Sequence, residues 1–447
     1  MTKKLGFFLA YFFLPGFART LMCSAIRALS KVLYHCIYLV LYNIPQLLQK
    51  NSRIVTTLCL PHNIQRRLGP TVTHQMPEQT IIKVPLKDGS GEVTYSMRGL
   101  KEDEVDIWTK FCASVFSYKE SPPPASYFGR HYYNDPHRSA TLIRVMFYRC
   151  EDGTEKIVAS VRVFLRQISI GGGESVYGGG IGEVCTDMKH RRRGLSKLLL
   201  QEAIRIMIEK NFQVSLLHAA PAFFPVYESS GYEGTISHWS KVKINPTILF
   251  QTGIANVALR LAAFPADTEC LMEIHQQFSE KSYCGTIIRS KEYWNNYLSQ
   301  ELENSLWVLT AKADTNAIIA WMSIRSRGES QYQLREFGCH KQAVGRSEGL
   351  SFAKCFGSLL RQIIQDFTGK EATDSFNLHL PTTILEMLRI RDVDDTDGAT
   401  FIDWASEIAA NDQGWMYRTL PSSGGVDNMP QITEKQFPHL IWPSDSF

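Results

Sequence analysis

The chain has 447 residues, enough for two or three domains of ordinary size, and its 44% apolar and 21% charged residues belong to a globular protein rather than a disordered or fibrous one. Its formal charge of +4 is unevenly placed: nine Lys or Arg and no Asp or Glu precede Glu78, so subtracting nine from the total leaves −5 for residues 78–447. A mildly acidic body whose one basic cluster is Arg191–Arg193 argues against nucleic-acid binding, and ten cysteines without close pairs argue against a disulfide framework or a zinc ribbon.

Residues 1–75 read as a basic hydrophobic leader. Its uncharged stretches, Leu5–Ala18, broken by Pro15-Gly16, and Val32–Gln49, containing His35, Asn43 and Pro45, fall at or below the roughly 18 to 20 apolar residues that cross a bilayer. The expectation is membrane association through residues 1–50, with mitochondrial import the alternative. Unpaired cysteines fit a reducing compartment. Residues 76–94 read as a linker.

A helix is expected over Glu102–Tyr118, carrying Trp108, Phe111 and Phe116. Past the Pro122-Pro123-Pro124 break come Tyr127, Phe128, Tyr132 and Tyr133, aromatics that suit either a pocket wall or an ordinary core. Strand-like runs Thr141–Cys150 and Lys156–Gln167 flank a loop whose Asp152-Gly153 pair is a hairpin signal. After the glycines at 171–173, Val176–Thr186 is a third strand.

That strand delivers a basic turn onto a helix. From Ser196 the residues Leu199, Ala203, Ile204, Met207 and Ile208 keep the spacing of one buried helical face. A helix start presents unpartnered N–H groups at the positive end of its dipole and so holds phosphate. Gly194 admits a ligand close to the backbone, Ser196 is small, and Arg191, Arg192 and Arg193 add charge. Strand Gln213–Ala219, a short helix ending at Gly231, and strand Ser237–Ile244 complete an order of antiparallel strands, helix, strand, helix, strand.

In this order and in two motifs the sequence resembles the GNAT superfamily of acyl-CoA-dependent N-acyltransferases. The superfamily's pyrophosphate loop, Gln/Arg-x-x-Gly-x-Gly/Ala, falls on Arg191, Gly194 and Ser196, with serine in place of the usual third residue. Its second signature, an aromatic and a Tyr followed by Gly and an aromatic, falls on Phe224, Tyr227, Gly231 and Tyr232. The resemblance implies a catalytic domain over 95–245. It implies that the backbone of Val184, Cys185 and Thr186 binds the pantetheine amides of acetyl-CoA, the co-substrate. The phosphates would rest on Arg191, Arg192, Arg193, Gly194, Leu195 and Ser196, and the first helices would recognise the acceptor.

Arg346-Ser347-Glu348-Gly349-Leu350-Ser351 repeats the spacing and the Gly-Leu-Ser of residues 191–196, 155 residues on. Strand-like Leu306–Ala311, Ala317–Ser326 and Tyr332–Cys339, a helix over Leu350–Asp366 and strand Ser375–Leu380 surround it, so the fold is expected twice. The fold class is therefore α/β (α+β): two tandem GNAT folds, each a mixed, mostly antiparallel sheet flanked by helices. The second copy, 250–422, lacks the Tyr-x-x-x-Gly-aromatic signature and reads as degenerate; 423–447 reads as a frayed tail. Tandem folds with the active one first resemble the enhanced-intracellular-survival acetyltransferases. Gly285–Trp294 and Phe224–Tyr232 are similar to segments of that family. About 200 residues after the first domain leave its third, sterol-carrier-like domain unexpected, so its substrate class is not carried over.

Acyl transfer to an amine needs a base, because an amine of pKa about 10.4 is protonated near neutrality. Glu183 is the carboxylate on the strand beside the loop, acting directly or through a water, or else it is a surface residue of that strand. Tyr227 matches the superfamily's acid, which protonates the leaving thiolate. His218, ending its strand, is a candidate relay or a structural histidine. In the resembled family the carboxylate of the last residue acts as base, which here is Phe447. The expected function is acetyl transfer from acetyl-CoA to a primary amine, a small molecule or a lysine side chain, in a ternary complex. Transfer of a longer acyl chain and a non-catalytic acyl-CoA-binding scaffold are the alternatives; no metal is implied, and oligomeric state is not legible.

Overall fold

The computed structural model describes residues 79–86, 91–118, 121–251, 253–254, 256–312, 314–340, 351–369, 374–390, 399–421 and 436–445. The leader 1–75, the second glycine loop 346–350 and Phe447 lie outside them. All described residues belong to one unit, 77–447. Among them no helix is long and apolar enough to cross a membrane.

Two strands, Thr80–Pro85 (β1) and Glu92–Gly99 (β2), the second alternating Val93, Tyr95 and Met97 with polar residues, start the first sheet, so the stretch read as a linker over 76–94 includes sheet. Ile143–Arg149 (β3) and Glu155–Gly171 (β4) form the expected hairpin. Its turn is held by Asp152, whose carboxylate accepts from the Thr154 N–H at 2.9 Å and hydroxyl at 2.6 Å. β4 pairs antiparallel with Glu174–Thr186 (β5), and β5 pairs parallel with Val214–His218 (β6).

Helices cover both faces of this sheet. Val105–Val115 and Ala125–Tyr133 bury Trp108, Cys112, Phe128 and Tyr132 against one face. The Trp108 indole donates to Ser160 Oγ at 2.8 Å and the Tyr132 hydroxyl to Glu102 at 2.8 Å. Of the two readings of these aromatics, core is therefore right for Trp108, Phe128 and Tyr132. On the other face lies Leu195–Glu209, burying Leu199, Ala203, Ile204 and Met207 while Glu202, Arg205 and Glu209 pair along its outer side.

Past β6 the chain departs from the expected domain boundary. After the short helix Phe224–Glu228 and Glu233–Gly234 (β7), Trp239–Ile244 (β8) leaves the first sheet and enters the second. That sheet contains Val257–Leu261 (β9), Trp307–Ala311 (β11), Asp314–Ser326 (β12), Gln331–Cys339 (β13), Phe376–Pro381 (β14) and Ile402–Ala409 (β15), and β8 lies between β14 and β15. Cys284–Ile288 (β10) instead pairs with β4. In return Trp415–Thr419 (β16) runs antiparallel to β6 and separates it from β7. Each half thus completes the sheet of the other. The second sheet keeps the expected hairpin β11–β12, strand β13, helix Phe352–Thr368 and parallel strand β14.

The tail is not frayed over 436–445. Leu440, Ile441 and Trp442 are buried, and Leu440 N–H bonds the Cys284 carbonyl at 3.0 Å. The segment fits closely: a side chain on Gly285 (φ 86°) would meet the His439 ring at 2.6 Å. Its end is fixed by charge. Arg289, fully buried, bonds both Asp445 oxygens, at 3.1 and 2.6 Å, and the Glu336 carboxylate. Removing the cation strands two buried carboxylates side by side, which costs about 3–5 kcal/mol. Arg289→Met is therefore expected to lower the unfolding free energy by an amount of that order, measured by urea unfolding.

Candidate functional site

The parallel ladder between β5 and β6 has four pairs and ends at Ile181 with Leu217. Beyond it β5 continues to Thr186 bonded only to β4, and β6 is bonded to β16 as far as His218. The facing edges of Gly182–Thr186 and His218 are therefore left without a strand between them, a slot that accepts an extended chain with its own amide groups. Val184, Cys185 and Thr186 lie on this edge. The Cys185 side chain turns away into the core, its sulfur 3.9 Å from that of Cys112, so only its backbone faces the slot.

β5 reaches this point through a bulge. Its register against β4 shifts between Ser160 and Arg162, and Glu183 adopts φ 43°, left-handed backbone that a glutamate rarely takes. The bulge turns Glu183 inward rather than leaving it on the surface. Its side chain is buried, one oxygen 3.6 Å from Arg162 Nη1, and Oε2 has no hydrogen-bond partner among the described residues. Burial pushes its pKa up, with Arg162 and His131 opposing. Asp135 sits between Arg162 (3.4 Å) and Arg166 (3.0 Å); burial works against its ionisation, but the two guanidiniums hold its carboxyl below the usual range.

At the lower end of the slot Asp187 caps a turn by accepting from Lys189 N–H at 2.8 Å. Gly194 then takes φ 77°, and the first helical bond runs from Leu198 N–H to the Gly194 carbonyl at 3.1 Å. The amides of Leu195, Ser196 and Lys197 stay outside the helical ladder. The three arginines are not equivalent. Arg193 donates to the Tyr95 hydroxyl at 2.6 Å and to the Lys189 carbonyl, and Arg191 donates to the Thr186 carbonyl at 3.2 Å, so both brace the turn. Arg192, at φ 60°, is exposed and makes no side-chain bond among the described residues.

Tyr227 is 9% exposed, and burial pushes its pKa up to about 12. Its ring meets Tyr232 edge-on at 6.1 Å, and the Tyr232 hydroxyl lies 2.7 Å from Ser215 Oγ on β6. Ser215 pairs with Gly179, whose missing side chain would strike Met207 of the Leu195–Glu209 helix. Tyr227 therefore belongs to that helix's face of the sheet, while Glu183 belongs to the opposite face with Arg162. The Tyr227 hydroxyl has no hydrogen-bond partner among the described residues. His218 lies on the Glu183 face, 2.9 and 3.1 Å from the oxygens of Asp412. Because a carboxylate only accepts, the ring donates Nε2–H and keeps Nδ1 as an acceptor when neutral. Asp412, 194 residues away and delivered by the strand exchange, is a partner that no sequence spacing signals. Phe447 lies outside the described residues. A cavity of about 470 Å³ lined by Leu261, Phe264, Asn295 and Glu303 contains none of these residues.

Residues 96–235 match the family model of the acetyltransferase (GNAT) domain. The structure is similar to a probable N-acyltransferase from Enterococcus faecalis V583, with 14% identity, 73% of each chain covered and a TM-score of 0.51. It is similar to a GCN5-related N-acetyltransferase from Anabaena variabilis, with 15% identity, 73% of each chain and a TM-score of 0.50. Eis1 from Mycobacterium abscessus is further off, at 13% identity, 72% of this chain, 73% of that one and a TM-score of 0.44. No curated protein matches the chain by sequence. Replacing Gly194 by valine forces a β-branched residue into left-handed backbone at the turn. If the turn holds an acyl-CoA, as GNAT domains do, Gly194→Val should raise the Kd for acyl-CoA at least about tenfold in calorimetric titration, an energy change of about 1.4 kcal/mol.

Proposed function

We propose that this chain, whose residues 96–235 match the GNAT acetyltransferase domain model, is an acyltransferase that moves the acetyl group of acetyl-CoA to a primary amine by direct attack in a ternary complex. One observation carries the reading: where the β5–β6 ladder ends, the Glu183 carboxylate, with Oε2 unpartnered, lies on one face of the sheet and the Tyr227 phenol on the other. An amine approaching a thioester in that slot meets a base on its own side and an acid on the far side.

In this reading the pantetheine arm takes the place of a strand along the β5 edge at Val184–Thr186, where Arg191 already engages the Thr186 carbonyl, and the pyrophosphate lies against the amides of Leu195–Lys197 with Arg192. Holding both reactants in one slot converts the encounter into a unimolecular step. Glu183, directly or through a water, takes the proton from the amine, whose nitrogen attacks the thioester carbonyl. The C–S bond then breaks, and Tyr227, which keeps its proton because burial raises its pKa, donates to the departing sulfur. His218, oriented by Asp412, stands on the amine's face as the proton's route outward.

Tyr227→Phe should lower kcat by about a hundredfold to ten-thousandfold with little change in the KM for acetyl-CoA, read by thiol release and product mass. Unaltered turnover would remove Tyr227 from the mechanism. A base works only when deprotonated, so activity falls as pH drops through the pKa of Glu183. That pKa is raised, which sets the acid limb of kcat/KM above the ordinary glutamate range near about 4.3. Arg162 opposes the rise, so Arg162→Gln should move the limb to still higher pH, and Glu183→Gln should abolish it.

A further inference from the structure

Near Tyr127, which feels both Glu183 and Arg325, the second half carries a group of three arginines with one carboxylate, Glu301, among them. Arg325 on β12 is paired across the ladder with Gln333 on β13, and Arg335 stands in the bulge just beyond, where the register shifts. Gln333 Oε1 accepts from both Arg325 Nε, at 3.0 Å, and Arg327 Nε, at 2.7 Å, so one neutral amide holds two guanidinium groups side by side. Neither makes an ion pair among the described residues. The carboxylate at this place, Glu301, is already engaged by Arg335, by Arg130 at 3.5 Å and by His131 at 3.5 Å. Arg335 Nε is buried without a partner.

Tyr127 is the link between the cluster and the proposed amine site. Tyr127 packs on His131 with ring centres 4.1 Å apart, beneath the Arg130–Glu301 pair. Its phenol feels Glu183 as well as Glu301, Arg130 and Arg325. Burial, and then Arg327 and Arg335 alongside, lower the Arg325 pKa to about 10, with Glu301 opposing. Like charges held in a half-buried place are costly unless an anion joins them. The planar guanidinium fork is shaped to take a carboxylate or phosphate through two bonds.

Resting on the acyl-transfer reading above, we propose that Arg325 and Arg327 bind an anionic group on the acceptor. The substrate class is then an amine that also carries a carboxylate or phosphate, its amine at Glu183 and its anion at the arginine pair. A polyamine, repelled by the same cations, is a poor substrate.

Acetyl transfer and calorimetric binding are measured on matched acceptors: ω-amino carboxylates against the alkylamines lacking the carboxyl group, and aminoalkyl phosphates against the amino alcohols. The anionic members should be preferred about ten- to hundredfold in kcat/KM, the range for hydrogen bonds to a charged group. The better of the two arms identifies the anion. Arg325→Gln and, at the exposed turn, Arg327→Gln should each cut that preference about tenfold through KM, and Arg325→Lys should restore part of it. No preference in the wild type, or one untouched by both variants, overturns the proposal while acetyl transfer stands. Arginine-dependent binding of the anionic amines without thiol release overturns the catalytic reading and leaves the anion site. Neither binding nor release overturns both.

Discussion

The site depends on a parallel ladder that stops early. β5 and β6 separate after Ile181 and Leu217, and two neighbouring strands that must remain paired would normally oppose such a parting. Here each has a partner on its far side. β4 accompanies β5 to Thr186, and β16 accompanies β6 to His218, so the strands diverge without losing their outer hydrogen bonds. The cleft is a property of the ladder and its two supports rather than of any one residue.

One support comes from the other half of the chain. β16 enters the first sheet and β8 enters the second, each lying antiparallel beside the second strand of a parallel pair, β6 in one case and β14 in the other. The two sheets thus share one arrangement, a parallel pair flanked by an antiparallel strand from the other half. Cutting between residues 245 and 250 would separate each of these strands from the half whose sheet it joins. Segment 436–445 adds a second tie, running beside β10, which itself pairs with β4.

Charge is placed where the halves meet. Arg166 and Arg162 share Asp135, Arg289 shares Glu336 and Asp445, and Glu301 gathers Arg130, His131 and Arg335. Buried pairs of this sort give little net stability. The Glu301 group does tie the first-half helix Ala125–Tyr133 to Arg335 of the second sheet. The groups left over, Glu183 Oε2 on one side and the Arg325–Arg327 pair on the other, are those a substrate would complete.

The sequence by itself determined the local order of the chain. The Asp152-Gly153 hairpin, the helix behind Gly194, the Tyr227 turn and the second copy of the strand–helix–strand run were all legible, because each follows from side-chain period, turn chemistry or short spacing within a few dozen residues. Tertiary structure alone decided which sheet Trp239–Ile244 joins, since β8 carries the same alternation whichever edge receives it, and that residues 436–445 dock instead of fraying. It decided that Glu183 is buried, through a bulge that reverses the facing of a strand. It paired His218 with Asp412 and grouped Arg325, Arg327 and Arg335 opposite Tyr127. Those relations join residues far apart in the chain, and long-range pairing leaves no periodic trace in a single sequence.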